Sequence, residues 1–135
     1  MIRDGLLALA AAQESPRRGI IEQLARDYLD SFAGGDIEAR LALFAPDAVF
    51  EDPVGAPPVV GHEGLRAFWA AAAGIKVQMR LEHIAVSGDE AAYVFSAQVG
   101  EAPDQVTIRT VETIAVNADG LISRMRAYFD RNTMT

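Results

Sequence analysis

Three side chains of this 135-residue chain combine proton chemistry with a phase that turns them inward. In the alternating run Val106–Val116, residues Ile108, Thr110, Glu112, Ile114 and Val116 share one face, and Thr107, Arg109 and Thr113 share the other. Glu112 therefore falls among apolar neighbours, where burial disfavours the charged form of a carboxyl. Asp52 is in phase with Ala48 and Phe50, and Tyr28 lies on an apolar stripe with Ile21, Leu24, Ala25 and Phe32. An ionised carboxylate can take a proton from beside a carbonyl, while a phenol and a neutral acid hold the enolate oxygen that results. This chemistry needs no metal, no cofactor and no nucleophile. Each residue also has a plainer use. Tyr28 suits a core tyrosine with its hydroxyl at the rim, and Glu112 suits a buried ion pair with Arg124 or Arg126. Asp52 suits a turn residue before Pro53 that caps local backbone amides.

The elements that must position these groups follow from periodicity. Ser15 and Pro16 read as N-cap and first position of a helix whose apolar face runs to Phe32 and which Gly34 and Gly35 stop. Asp36 caps a second helix through Ile37, Arg40, Leu41 and Phe44, until Pro46 forbids extension. Ala48 to Glu51 reads as a short strand, Gly55 to Pro58 as a turn, and Gly61 to Ala73 as a third helix carrying Leu65, Phe68 and Trp69. From Lys76 the period becomes two. Runs Val77–Val86, Ala91–Val99, Val106–Val116 and Leu121–Phe129 alternate between turn-forming segments, as in an antiparallel meander. Helices first and strands afterwards describe one α+β domain over residues 15–135, with helices on one face of a curved antiparallel sheet. Such a cone leaves an open end suited to a small-molecule pocket. Residues 1–14 form an extension, read as a short helix packed on the domain or a partner.

Composition narrows the class. The formal charge of −7, with 19 acidic against 12 basic residues, speaks against nucleic acid and anionic membrane surfaces. The absence of cysteine removes thiol nucleophiles and cysteine-ligated metals. No apolar run approaches the ~20 residues that span a bilayer. The stretch Gly5 to Ala12 is short for a secretory core, and Arg3 and Asp4 cancel in front of it, so a cytoplasmic protein is expected.

The segment Leu43 to Gly55, LFAPDAVFEDPVG, resembles the part of bacterial ketosteroid isomerases that carries their catalytic Asp in an E-D-P-V-G context. Asn117 and Ser123 to Ala127 resemble the later turn and the S-M-R-A strand of the same family. Similarity extends from Ile20 to Phe129. It implies the cone-shaped α+β fold of the nuclear-transport-factor-two-like and SnoaL-like domains, with three helices in the cone. It also implies double-bond isomerisation of a steroid-like or polycyclic ketone, a homodimer and no cofactor. Carried over, Asp52 is the base that takes a proton alpha to the ketone and returns it at the gamma carbon. Tyr28 and a neutral Glu112 hold the dienolate oxygen, an arrangement known from ketosteroid isomerase itself. Val54, Phe68, Trp69, Phe95, Ala97, Val99, Ile114, Met125, Ala127 and Phe129 would wall the pocket. Two departures stand out. Glu112 replaces the family's Asp with one more methylene, and Trp69 stands where a tyrosine often supports the oxyanion tyrosine.

His83 shares a face with Val77, Met79, Leu81 and Ala85, so it is expected to point inward. It reads either as a packed core histidine or as the partner of Asp52 in a dehydratase or cyclase on this fold. A third reading is a non-catalytic binder of hydrophobic ligands. His62 reads as an exposed helix-start residue, and two histidines at this spacing form no zinc motif. Outer-face positions such as Val111 and Ala115 suit self-association.

Overall fold

A computed structural model describes residues 1–135. The elements in chain order are α1 (Ile2–Ala12), α2 (Arg18–Gly34), α3 (Ile37–Leu41), β1 (Phe44–Glu51), β2 (Val59–Val60), α4 (Gly61–Ala70), β3 (Val77–Ser87), β4 (Glu90–Val99), β5 (Val106–Val116) and β6 (Ile122–Tyr128), closed by a 3-10 turn at Arg131–Thr133. One six-stranded sheet runs in the order β2-β1-β6-β5-β4-β3, and α2 packs across it against β3 and β4. This is the expected α+β class, a curved sheet carrying helices on its inner face. β1 departs from the antiparallel pattern: it runs parallel to β6. No helix is long and apolar enough to cross a membrane.

Local chemistry explains where elements begin and end. The Ser15 hydroxyl accepts from the Arg17 amide at 3.1 Å, but it caps a single turn, and α2 starts only at Arg18. The Arg17 side chain leaves the helix and binds the Asn117 carbonyl (2.6 Å) and Asp89 (2.8 Å), tying the start of α2 to the closed end of the sheet. At the other end of α2, Gly35 adopts φ 69°, the left-handed cap glycine supplies without strain, and its N–H donates to the Ser31 carbonyl. Asp36 caps α3 as expected, accepting from the Ala39 amide at 3.0 Å. The helix is shorter than expected because the chain enters β1 at Phe44. Pro46 is tolerated there because it falls where the β1–β6 register breaks, between Phe44 and Val49, so no ladder donor is required of it. α1 buries none of its residues.

The core joins the inner face of the sheet to α2 and α4. Tyr28, Phe44, Phe50 and Trp69 form an aromatic cluster, with ring centroids 5.7 Å apart for Tyr28 and Phe44, 5.4 Å for Phe44 and Trp69, and 5.8 Å for Phe50 and Trp69. The two edge-on pairs, Tyr28 with Phe44 and Phe50 with Trp69, each contribute about 0.5–1.5 kcal/mol beyond the area they bury, and the Phe44–Trp69 pair is tilted. Their main consequence is geometric, because they fix the ring of Tyr28.

Candidate active site

The open end of the sheet holds a cavity of about 480 Å³. Its wall comes from the second half of α2 (Tyr28, Phe32), from α4 and the turn after it (Phe68, Trp69, Ala71, Ala72, Ile75), and from Phe129 beyond β6. The beginning of β3, the end of β4 and the first half of β5 supply the rest, including Met79, Phe95, Ala97 and Ile108. Fourteen of the seventeen lining residues are hydrophobic; the other three are Asp52, Thr110 and Glu112. Tyr28, Asp52 and Glu112 thus meet in one apolar chamber.

Each of the three is placed by its backbone. Tyr28 is held on α2 by the aromatic cluster and is only 2% exposed, with no hydrogen bond from its hydroxyl to another side chain. Burial, then the Glu112 and Asp52 carboxyls, push its phenol well above the usual range, while the Arg40 guanidinium and the Trp69 indole N–H pull the other way. It stays a neutral donor. Asp52 follows directly on β1, half-buried, and makes no hydrogen bond or ion pair. It does not cap the turn before Pro53. Desolvation pushes its carboxyl up to about 6. Glu112 is 2% exposed on the inner face of β5, and burial pushes its carboxyl up to about 8, with the Asp52 charge adding to the rise. Between these values one acid is ionised and the other carries a proton.

Glu112 has no cationic partner. Arg124 and Arg126 lie on the opposite face of β6 and both approach Glu51, at 3.7 and 3.2 Å. The Glu112 carboxyl instead accepts from the Tyr93 hydroxyl at 2.5 Å, and that bond opposes part of the rise. Tyr93 is a site residue that the sequence reading misses. Its signal is legible, since it has the same parity as Phe95, Ala97 and Val99 and faces Glu112 directly across the β4–β5 ladder. Thr110 is missed too, although it shares the inward face of Glu112.

Among the expected wall residues, Phe68, Trp69, Phe95, Ala97, Val99 and Phe129 line the cavity. Ile114, Met125 and Ala127 share the inner face but lie in the packed region beyond it, each at most 1% exposed. Val54 is outside the lining too; its amide donates to the Ala127 carbonyl and pins the turn after Asp52.

His83 requires a correction. It is exposed and does not reach the cavity, because β3 carries a bulge. Leu81 pairs with Phe95 but His83 pairs with Val94, so one extra residue, Glu82, shifts the phase. Val77, Met79 and Leu81 face inward before the bulge, and Ile84 and Val86 face inward after it. An Asp52–His83 acid–base pair is therefore not assembled. His62 is half-buried, not exposed as expected; its Nε2 is 2.8 Å from the Phe44 carbonyl. Nowhere do three or more His, Asp or Glu side chains gather in a metal-binding cluster.

Residues 25–125 match the SnoaL-like domain model. The chain belongs to the SnoaL-like family. Within this family it is 38% identical over 102 residues to the steroid Delta-isomerase of Nocardioides simplex, covering 76% of this chain and 83% of that protein. It is also 31% identical to the epoxide hydrolase LasB of Streptomyces lasalocidi, over 87% of this chain but only 50% of the relative's length. Among solved structures, RV0760c of Mycobacterium tuberculosis superposes with a TM-score of 0.80 at 28% identity, covering 86% of this chain and 95% of that one. The same protein has also been solved in complex with estradiol-17beta-hemisuccinate. This SnoaL-like chain therefore shares the ketosteroid-isomerase branch of the nuclear-transport-factor-two-like fold, as the segment around Asp52 implied.

Proposed function

We propose that this protein is a cofactor-independent isomerase that moves a carbon–carbon double bond into conjugation with a ketone on a hydrophobic, steroid-like substrate. The observation that carries the reading is that two carboxyls without cationic partners share one apolar chamber with a free phenol and lie on opposite sides of neutrality, near 6 and 8. Asp52, ionised near pH 7, takes the proton between the ketone and the double bond. The electron pair moves onto the ketone oxygen, which Tyr28 and protonated Glu112 hold by hydrogen bonds. Asp52 then returns the same proton at the gamma carbon, and the enone leaves. The apolar wall excludes water, so the proton stays on Asp52 between the two transfers. The steroid isomerase relative and the steroid complex of RV0760c support a flat, apolar substrate. The reading includes a homodimer through the outer sheet face, where Val111 and Tyr128 pair across β5 and β6 and are both exposed.

The test is an assay with a beta,gamma-unsaturated ketosteroid, following the absorbance of the conjugated enone. Turnover that Asp52→Asn abolishes supports the reading; turnover indifferent to that change refutes it. A second reading has one observation in its favour. A protonated acid facing a carboxylate is also what epoxide opening needs, with Glu112 protonating the epoxide oxygen and Asp52 taking the proton of an attacking hydroxyl. The epoxide hydrolase relative makes this worth assaying in parallel. Opening of an apolar epoxide without enone formation would select it.

A further inference from the structure

Glu112 is the longest side chain that could have been placed at its position as an acid, and an oxyanion donor works only if held to within about half an ångström. Its three side-chain torsions need an anchor. The structure supplies one on the side away from the cavity. Tyr93 and Glu112 are direct partners across β4 and β5, both on the inner face and both nearly free of solvent, at 1% and 2% exposure. Glu112 lines the cavity and Tyr93 does not. Tyr93 is itself wedged, with Ile84 opposite it on β3 and its ring centroid 6.2 Å from that of Phe95.

We propose that Tyr93 is a positioning residue: it grips Oε1 of Glu112 from the closed side of the site and so presents Oε2, with its proton, to the cavity. The direction of the bond follows from satisfaction. The Tyr93 hydroxyl has no other side-chain or backbone partner, so if it accepted from Glu112 its own hydrogen would be buried without an acceptor. Donating to Oε1 satisfies both groups and leaves the acid's hydrogen on Oε2. The added methylene of glutamate and the phenol behind it then work as one unit.

This inference rests on Glu112 serving as a donor, but its test has a readout that does not need turnover. The carbonyl stretch of protonated Glu112 can be followed by infrared difference spectroscopy across pH, assigned by its loss in Glu112→Gln. In Tyr93→Phe the acid is expected to hold its proton roughly tenfold more tightly, the equivalent of losing one hydrogen bond to the charged form. Replacing Tyr93 with 3-fluorotyrosine, a stronger donor of nearly the same shape, is expected to shift it the opposite way while the fold is kept. If isomerisation is established, Tyr93→Phe should lower kcat at least tenfold with KM within about twofold. Unchanged titration in both variants overturns the proposal whatever the activity. Opposite shifts in the titration with no isomerase activity in the parent protein sustain the anchor and refute only the proposed reaction.

Discussion

Replacing Glu112 with Gln removes one titrating group while keeping shape, an acceptor for Tyr93 and an N–H donor toward the cavity. Its thermodynamic consequence can be worked out. In the folded chain the Glu112 carboxyl sits near 8, against 4.5 for an unperturbed glutamate. Between these values the native state holds a proton that the unfolded chain has lost, so stability falls as pH rises. The slope approaches 1.4 kcal/mol per pH unit, and the whole window amounts to about 5 kcal/mol. Below pH 4.5 both states are protonated and above 8 neither is, so the curve flattens at each end. Glutamine has no such window. The difference between the parent protein and the Glu112→Gln variant should therefore swing by several kcal/mol in favour of the variant from pH 5 to pH 9. Asp52 contributes the same sign of slope to both proteins, and its coupling to Glu112 is part of the difference the comparison reads. Urea unfolding at a series of pH values, followed by fluorescence of the single tryptophan, measures it. Parallel stability curves would refute the claim that this acid is protonated in the fold.

Other outcomes are expected from the same geometry. The profile of kcat/KM against pH should be a bell with limbs near 6 and 8, read as apparent values of a coupled pair, and Glu112→Gln should abolish the alkaline limb while leaving the acid one. Tyr28→Phe should lower kcat roughly a hundred- to a thousandfold in a steady-state isomerase assay, since one oxyanion donor is lost. Arg40, 4% exposed, lies 3.6 Å from the Phe32 ring centroid and donates to both the hydroxyl and the carbonyl of Ser31 near the end of α2. Arg40→Met should cost about 2 kcal/mol in chemical denaturation, with cation–π attraction and two hydrogen bonds removed. His83→Ala should change neither turnover nor stability by more than about 0.5 kcal/mol, because the ring is on the surface.

Period and phase are enough to find the four long strands, the inward turn of Glu112 and the stripe that carries Tyr28. The E-D-P-V-G segment adds Asp52 and the family. What the chain does not reveal depends on register. A bulge leaves no mark in composition, so the alternation through Val77, Met79 and Leu81 reads as continuing to His83 when it has already slipped by one residue. Tyr93 is hidden for a related reason: its meaning comes from the residue opposite it, and the opposing residue is set by the length of the β4–β5 connection. Depth is equally invisible. Ile114, Met125 and Phe129 all point inward, yet only Phe129 reaches the cavity, because the first two stand where the helices have already filled the cone. Parallel pairing of β1 with β6 joins segments more than seventy residues apart, which no local pattern encodes.

The slip at Glu82 divides β3 into two independently phased halves. Val77 and Met79 upstream wall the cavity, while Ile84 and Val86 downstream seal the floor beneath it. Drawing Glu82 into the ladder as an ordinary pair would force a choice between the halves: either the mouth swaps its oily lining for Gln78 and Arg80, or the base swaps its own for His83 and Ala85. Leaving a single residue out of the pairing thus keeps a greasy entrance and a dry foundation on the same ribbon.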